Sequence, residues 1–279
     1  LSPSTIAGYE KFKRAMFQSM MKKNIFTVSD SQWQAAIRAE RQAGKSPKYI
    51  KNGWMFFSAC IVAAGAPRPE VMLYPDEHHE RAYLTPDEID KFVEAIKGQP
   101  VEIPALLCLS SLRRSEMLAL TWDNVDLDNN VLYVRGAIVR GSDGMVSKKQ
   151  NKTDKSRRSV PIIPPLRDAL LREPERQGAV VRMTGDYALT LVKKVCQAAG
   201  VTVVDLHGLR HSFASLAYHL QMPEMIAAKI GGWNDLSTMH NIYTHLAEKD
   251  IADKSWQFCN YFSDEAIKER NLTRRLTQK

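Results

Sequence analysis

Apolar residues recur every three or four positions along most of the chain, and at every second position only in a short middle stretch. The helical period governs the first 65 residues. Ser4 is placed to cap a helix whose Ile6, Tyr9, Phe12, Met16, Phe17 and Met20 fall on one side. A second helix is predicted from Asp30 or Ser31, carrying Trp33, Ala36 and Ile37. A third starts at Ser46-Pro47, with proline at the first helical position, and carries Tyr49, Ile50, Trp54, Phe57 and Ile61. Gly65, Pro67, Pro69 and Pro75 then break the pattern, and Asp76–Arg81 is wholly charged or histidine. Thr85-Pro86-Asp87-Glu88 restarts it, with Thr85 as cap and Glu88 closing a capping box. Helical stretches follow at about Asp87–Ile96, Ile103–Leu109 and Ser115–Leu120. Strands are predicted at Val131–Val134, Ala137–Arg140, Met145–Lys148 and Ser159–Ile162, with a turn at Ser142-Asp143-Gly144. Helices return from Pro165 onward. This order describes a mostly α chain with a small antiparallel sheet, an α+β class, and not the βαβ alternation of a parallel sheet. It predicts a helical domain over 1–66, a linker over 67–82, a mixed domain over 83–262 and a polar tail over 263–279.

Composition narrows the class. With 44% apolar and 25% charged residues over 279 positions, the chain reads as a globular protein of one large or two ordinary domains, not a disordered, collagenous or disulfide-scaffold chain. The longest largely apolar stretch, Phe56–Ala66, falls far short of the ~20 residues that cross a bilayer, and no secretory signal opens the chain. Cys60, Cys108, Cys196 and Cys259 are far apart and form no CxxC pair, so they are expected as reduced thiols in a cytosolic protein without a metal. Lys and Arg outnumber Asp and Glu by 39 to 31, a formal charge of +8 that suits a polyanionic partner such as nucleic acid. The start at Leu1 without an initiator Met is read as a piece of a longer protein.

Four motifs carry candidate chemistry: Leu112-Arg113-Arg114-Ser115-Glu116; the basic run from Lys152 to Pro161; His207-Gly208-Leu209-Arg210-His211; and Gly231-Gly232-Trp233 with Tyr243 ten residues later. Each has a plain explanation when taken alone. Arg113 with Glu116 reads as an ion pair, Arg135–Arg158 (eight basic residues against two acidic) as a solvated loop, His207 as a hydrogen-bonded helix residue, and Trp233 as core. Together they suit one reaction. Transesterification at a phosphodiester builds negative charge on the non-bridging oxygens, which two guanidiniums hold in a fixed fork. The leaving alkoxide needs a proton, which a lysine can deliver. A phenol with pKa near ~10 needs neighbouring cations or a base to attack.

The order Arg…Lys…His-x-x-Arg…Trp…Tyr resembles the tyrosine recombinases, the phage integrase family. Leu112–Glu116 is similar to that family's Gly-Leu-Arg-x-Ser-Glu box, with Ser111 in place of the glycine, and Trp233 stands where most members have a histidine. The resemblance implies a helical core-binding (SAM-like) domain followed by a recombinase catalytic domain. It implies that Arg113 and Arg210 clamp the scissile phosphate, Lys152 protonates the leaving oxygen and His207 assists proton transfer. Trp233 would donate to a phosphate oxygen, and Tyr243 would attack to form a 3′-phosphotyrosine. Glu116 would buttress Arg113, and Lys148, Lys149, Lys155, Arg157 and Arg158 would lie on DNA. No cofactor, neither metal nor ATP, is expected. The implied partners are double-stranded DNA core sites, further copies in a synaptic homotetramer, and an excisionase or host DNA-bending protein. An arm-binding domain would precede Leu1, and the protein would be bacterial or phage-encoded, cytoplasmic and nucleoid-associated. Two alternatives remain: a catalytically silent DNA-binding protein of the same fold, and a type IB topoisomerase-like or resolvase enzyme.

Overall fold

The computed structural model describes residues 1–76, 81–141, 144–149, 158–233 and 235–261. The chain forms two compact units, Leu1–Glu80 with Ile138–Lys148, and Arg81–Ala137 with Lys149–Lys279.

The first unit is built on three helices. In α1 (Pro3–Ala15) the cap is Ser2, whose side chain accepts the Thr5 N–H, so the helix begins two residues earlier than the Ser4 cap predicted; Pro3 takes the first position, where its missing N–H costs nothing. The helix also stops earlier than the apolar stripe suggested. Phe17 adopts a left-handed backbone (φ 51°), and Gln18–Met20 forms a single separate turn, which drives Met16, Phe17 and Met20 into the core. In α2 (Asp30–Gln42) Ser29 and Gln32 cap reciprocally, and α3 (Pro47–Ala63) starts at Ser46-Pro47 as predicted. Phe17 sits edge-on to Trp33, Trp54 and Phe57 at centroid distances of 6.0, 6.1 and 5.1 Å, a geometry that aromatic quadrupoles favour. The proline-rich segment after Gly65 lies along this bundle. Gln34 exchanges two hydrogen bonds with the Met72 backbone, Asp30 accepts the Glu70 N–H, and Lys51 pairs with Asp76 at 2.9 Å.

In the second unit α4 (Pro86–Ile96) begins with the predicted Thr85–Glu88 capping box. Every residue of α5 (Glu102–Leu109) is buried. It packs against α7 (Pro164–Arg172) and α9 (Leu206–His219) and forms the centre of the larger core. α6 (Arg114–Ala119) precedes the antiparallel sheet β1 (Val125–Asp126), β2 (Val131–Val134) and β5 (Arg158–Pro161), in the order β1-β2-β5 with Leu132 opposite Val160. β3 (Gly136–Gly141) and β4 (Gly144–Lys149) form a separate hairpin, most of which groups with the first unit. α8 (Gly185–Ala198) covers the core, while α10 (Glu224–Gly231) and α11 (Leu236–Tyr261) close on α9 through a small cluster of Ala214, Ala217, Ala227, Ala228 and Met239. The architecture is mostly α with small antiparallel sheets. Among the described residues no helix is long and apolar enough to cross a membrane.

Candidate active site

Leu112 is fully buried and anchors the loop between α5 and α6, so the next residue is delivered to the start of α6 with its side chain directed outward. There the Arg113 backbone N–H donates to Glu116 Oε2 at 2.9 Å, while its guanidinium donates to Glu116 Oε1 at 2.7 Å and to the Gly232 carbonyl at 2.6 Å. Arg113 keeps 40% of its side chain exposed, enough to meet a ligand. Arg114 turns the other way and pairs with Asp186 on α8 at 2.8 Å, as a residue at the variable position of the box would.

The expectation that Arg158 lies on DNA is corrected by its surroundings. Its side chain is 8% exposed and makes a two-pronged pair with Glu116, at 3.0 and 2.8 Å; it also donates to the carbonyls of Ile230 and Ser111. The strand period explains why. Arg158 and Val160 share a face of β5, and Val160 is core, so Arg158 must face inward too. That signal was present in the sequence beneath the charge run. Glu116, itself 4% exposed, thereby serves two guanidiniums. Burial works against its charge, but hydrogen bonds and charge from Arg158, with Arg113 behind them, outweigh it and hold the carboxyl at about 2.

Asp205 caps α9 by accepting the Gly208 N–H at 2.6 Å, which places His207, Arg210 and His211 on the first turns of one helix. Arg210 is 1% exposed; its Nη1 donates to the Ser111 carbonyl, and its Nη2 is buried without a partner among the described residues. Burial, followed by the Arg113 charge, lowers its pKa to about 9. The indole of Trp233 lies over this guanidinium at 4.2 Å and stacks on Phe213 at 6.2 Å. Trp233 reaches this place because Gly231 and Gly232 let the chain turn back: a Cβ on Gly231 would strike the indole, and Gly232 has φ 66°. His207 stands edge-on to His211 at 4.9 Å. Desolvation where the two imidazoles meet the protein lowers both to about 4. Arg81 and Arg210 add to this at both rings, and His207 adds to it at His211, so both are neutral at pH 7. Arg81 and His211 were not singled out from the sequence. In the sequence His211 stands only as the end of its motif, and Arg81 only as part of a charged run.

The structure therefore gathers Arg113, Glu116, Arg158, Arg210 and Trp233 into one contact network, with His207 one helical turn from Arg210. Tyr243 and Trp233 both pack against the alanine cluster of α9 and α10, but among the described residues no hydrogen bond or ring contact joins Tyr243 to the arginines. Tyr243 lies on α11, ring against Tyr218 at 5.5 Å, and its hydroxyl donates to the Met222 carbonyl at 3.2 Å. Tyr218 is eight residues beyond Arg210 on α9, about 12 Å along the axis. Burial and then Glu224 push the Tyr243 phenol up to about 12 in this position. Lys152, Lys155 and Arg157 lie outside the described residues, as does the tail beyond Tyr261; Lys148 and Lys149 lie on β4, and the description does not extend to their side chains.

Residues 82–250 match the model of the phage integrase family. Over 88% of its length the chain is 25% identical to a XerC-like tyrosine recombinase of Caldanaerobacter subterraneus subsp. tengcongensis, covering 75% of that protein. Over 84% it is 22% identical to the integrase of Salmonella phage P22, covering 65% of that protein. The fold is similar to that of the Tn1549 transposon integrase in complex with a circular intermediate DNA, with a TM-score of 0.75 at 19% identity, over 87% of this chain and 90% of that one. It is also similar to a lambda integrase in a tetramer bound to a Holliday junction, with a TM-score of 0.61 at 15% identity, over 86% and 72% of the two chains.

Proposed function

This chain belongs to the phage integrase family of site-specific recombinases, and from that premise we propose that it cleaves and rejoins DNA through a covalent 3′-phosphotyrosine, integrating or excising a mobile element. One observation carries the reading. Arg113 and Arg158 share the Glu116 carboxylate, and the neighbouring Arg210 pairs with no carboxylate among the described residues, which leaves the three guanidiniums with a surplus of two positive charges and a buried Arg210 N–H without an acceptor among those residues. Buried donors of this kind are costly unless something accepts from them, and a phosphodiester oxygen satisfies both the charge and the hydrogen bond.

In the proposed course the Tyr243 oxygen attacks phosphorus and its proton passes to a base, a role we give to the neutral His207 one helical turn from Arg210. The bond from phosphorus to the 5′ oxygen breaks, and Lys152 supplies the proton that this oxygen needs. Arg113 and Arg210 stabilise the charge that develops on the non-bridging oxygens. The 5′-hydroxyl of a partner duplex then attacks the phosphotyrosine, so bond energy is conserved without ATP or a metal. For the first step the phenol must leave the Met222 carbonyl and approach the guanidiniums, where its raised pKa would fall. By analogy with the DNA-bound integrases of similar fold, the partners are two duplex core sites held by a tetramer of this chain.

The test is a set of nicked duplexes tiled across the DNA flanking its gene. Covalent protein–DNA adduct that accumulates with the wild-type chain and vanishes in Tyr243→Phe is the expected result. Binding without adduct would mean a silent DNA-binding protein. Relaxation of supercoils without exchange between duplexes would mean a topoisomerase-like enzyme.

A further inference from the structure

Arg158, the first residue of β5, does not face solvent, and its contacts reach each part of the arginine cluster. Arg158 Nε donates to the Ile230 carbonyl at 2.9 Å, at the end of α10; Nη1 and Nη2 take both oxygens of Glu116; and Nη2 also reaches the Ser111 carbonyl at 3.4 Å. Each of these partners is shared or adjoins a shared one. Glu116 also holds the Arg113 backbone and guanidinium, and the Ser111 carbonyl also accepts from Arg210. Gly232, whose carbonyl takes the other Arg113 nitrogen, is pressed so closely on Arg158 that a Cβ there would lie 2.8 Å from its side chain.

We propose that Arg158 is the positioning residue of the phosphate clamp: without touching DNA, it fixes the two guanidiniums that do by holding Glu116, the Ser111 carbonyl and the end of α10 in register. Only arginine suits this role, because a planar fork can engage a carboxylate with two nitrogens while a third points at a carbonyl. Lysine offers a single point charge. The arrangement also ties strand β5, six residues after Lys152 in the chain, to the loop that carries Arg113. A shift of either element would misplace the clamp, and displacement of about 1 Å in a catalytic constellation can cost ~100-fold in rate.

The proposal rests on the recombinase reading, and one experiment separates the two. With the nicked duplex that traps most adduct for the wild-type chain, Arg158→Lys and Arg158→Gln should bind DNA within about twofold of wild type but form adduct about 10- to 100-fold more slowly. Removing the fork also takes away the Arg158 hydrogen bonds and charge that lower the Glu116 pKa, so its carboxyl protonates at higher pH than in the wild type. The variants should therefore lose further activity as the pH falls toward ~5, where the wild-type rate is less affected. If Arg158→Gln does not fold, Arg158→Lys, which keeps a positive charge beside Glu116 but lacks the fork, supplies the folded variant. A folded chain lacking the fork that forms adduct at the wild-type rate, with an unchanged pH profile, overturns the role of Arg158. A wild-type chain that traps no adduct on any duplex overturns the recombinase reading, and this proposal with it.

Discussion

Ser111 occupies a backbone conformation (φ 85°) that glycine adopts freely and an L side chain does not. It stands where the family's box carries glycine, and the structure shows what the hydroxyl gives in return: Ser111 Oγ donates to the Ile230 carbonyl at 3.2 Å. Relief of the strained φ, about 1 kcal/mol, and loss of one hydrogen bond, also about 1 kcal/mol, nearly cancel. Ser111→Gly should therefore change stability by less than ~1 kcal/mol in urea melts, while Ser111→Ala keeps the strain, loses the bond and should be the least stable of the three by ~1 kcal/mol. At Trp233, the ring over Arg210 is a packing contact that phenylalanine retains in part. We expect Trp233→Phe to melt within a few degrees of wild type and Trp233→Ala well below it, since truncating a partly buried tryptophan costs ~3 kcal/mol or more. Part of the residue-scale detail is legible by motif: the Arg113–Glu116 ion pair and the place of His207 and Arg210 on one helix, but not the left-handed Ser111 or the indole over Arg210. The use of Arg158 was harder to see, because its carboxylate partner lies 42 residues upstream and only the alternation with Val160 hinted at the inward face.

Among the elements, α9 determines the most. Its first turn presents His207 and Arg210, and it is pinned there by Asp205 and by the segment that precedes α4: Leu84 N–H donates to Ser212 at 2.8 Å, and the Ala82 carbonyl passes so near Gly208 that a Cβ would come within 2.8 Å of it. That Cβ would also lie 2.9 Å from the Val204 Cβ, and neither the Ala82 carbonyl nor this atom is a flexible side-chain end. Gly208→Ala should cost ~1–3 kcal/mol, read as a lowered thermal midpoint, and should slow adduct formation by displacing the start of the helix. Helix and strand boundaries were legible to within a residue or two wherever a cap or a clean alternation marked them, as at Ser46, Thr85 and Val131–Val134. The break at Phe17 was not, because an unbroken apolar stripe does not reveal a left-handed residue within it. The place of Tyr243 was equally hidden: spacing assigns it to a helix, but which end of α9 it meets depends on how α10 and α11 pack through their alanines.

At the scale of the whole molecule, the buried charges give a pH signature. His207 and His211 titrate at about 4 in the folded chain against an ordinary value of 6.5, so between these values the unfolded chain takes up more protons and stability falls as the pH falls. Glu116 acts in the same direction lower down; its contribution is present above the ordinary value of 4.5 and is lost as the pH drops toward about 2. The thermal midpoint should therefore decline from pH 7 to pH 4, and His211→Gln should flatten the upper part of that decline. A midpoint independent of pH over this range would contradict the described environment of the two imidazoles. The grouping of the β3–β4 hairpin with the N-terminal helices was not visible in the sequence, since contiguity suggested that residues 138–148 belong with their neighbours in the chain.

The bond from Tyr243 to the Met222 carbonyl has a main-chain acceptor, so no side-chain replacement at position 222 removes it. One such bond is worth about 1 kcal/mol, roughly a fivefold bias in population. Within the proposed course, so weak a bond lowers the share of freed phenol only about fivefold, so it delays the attack of Tyr243 without preventing it.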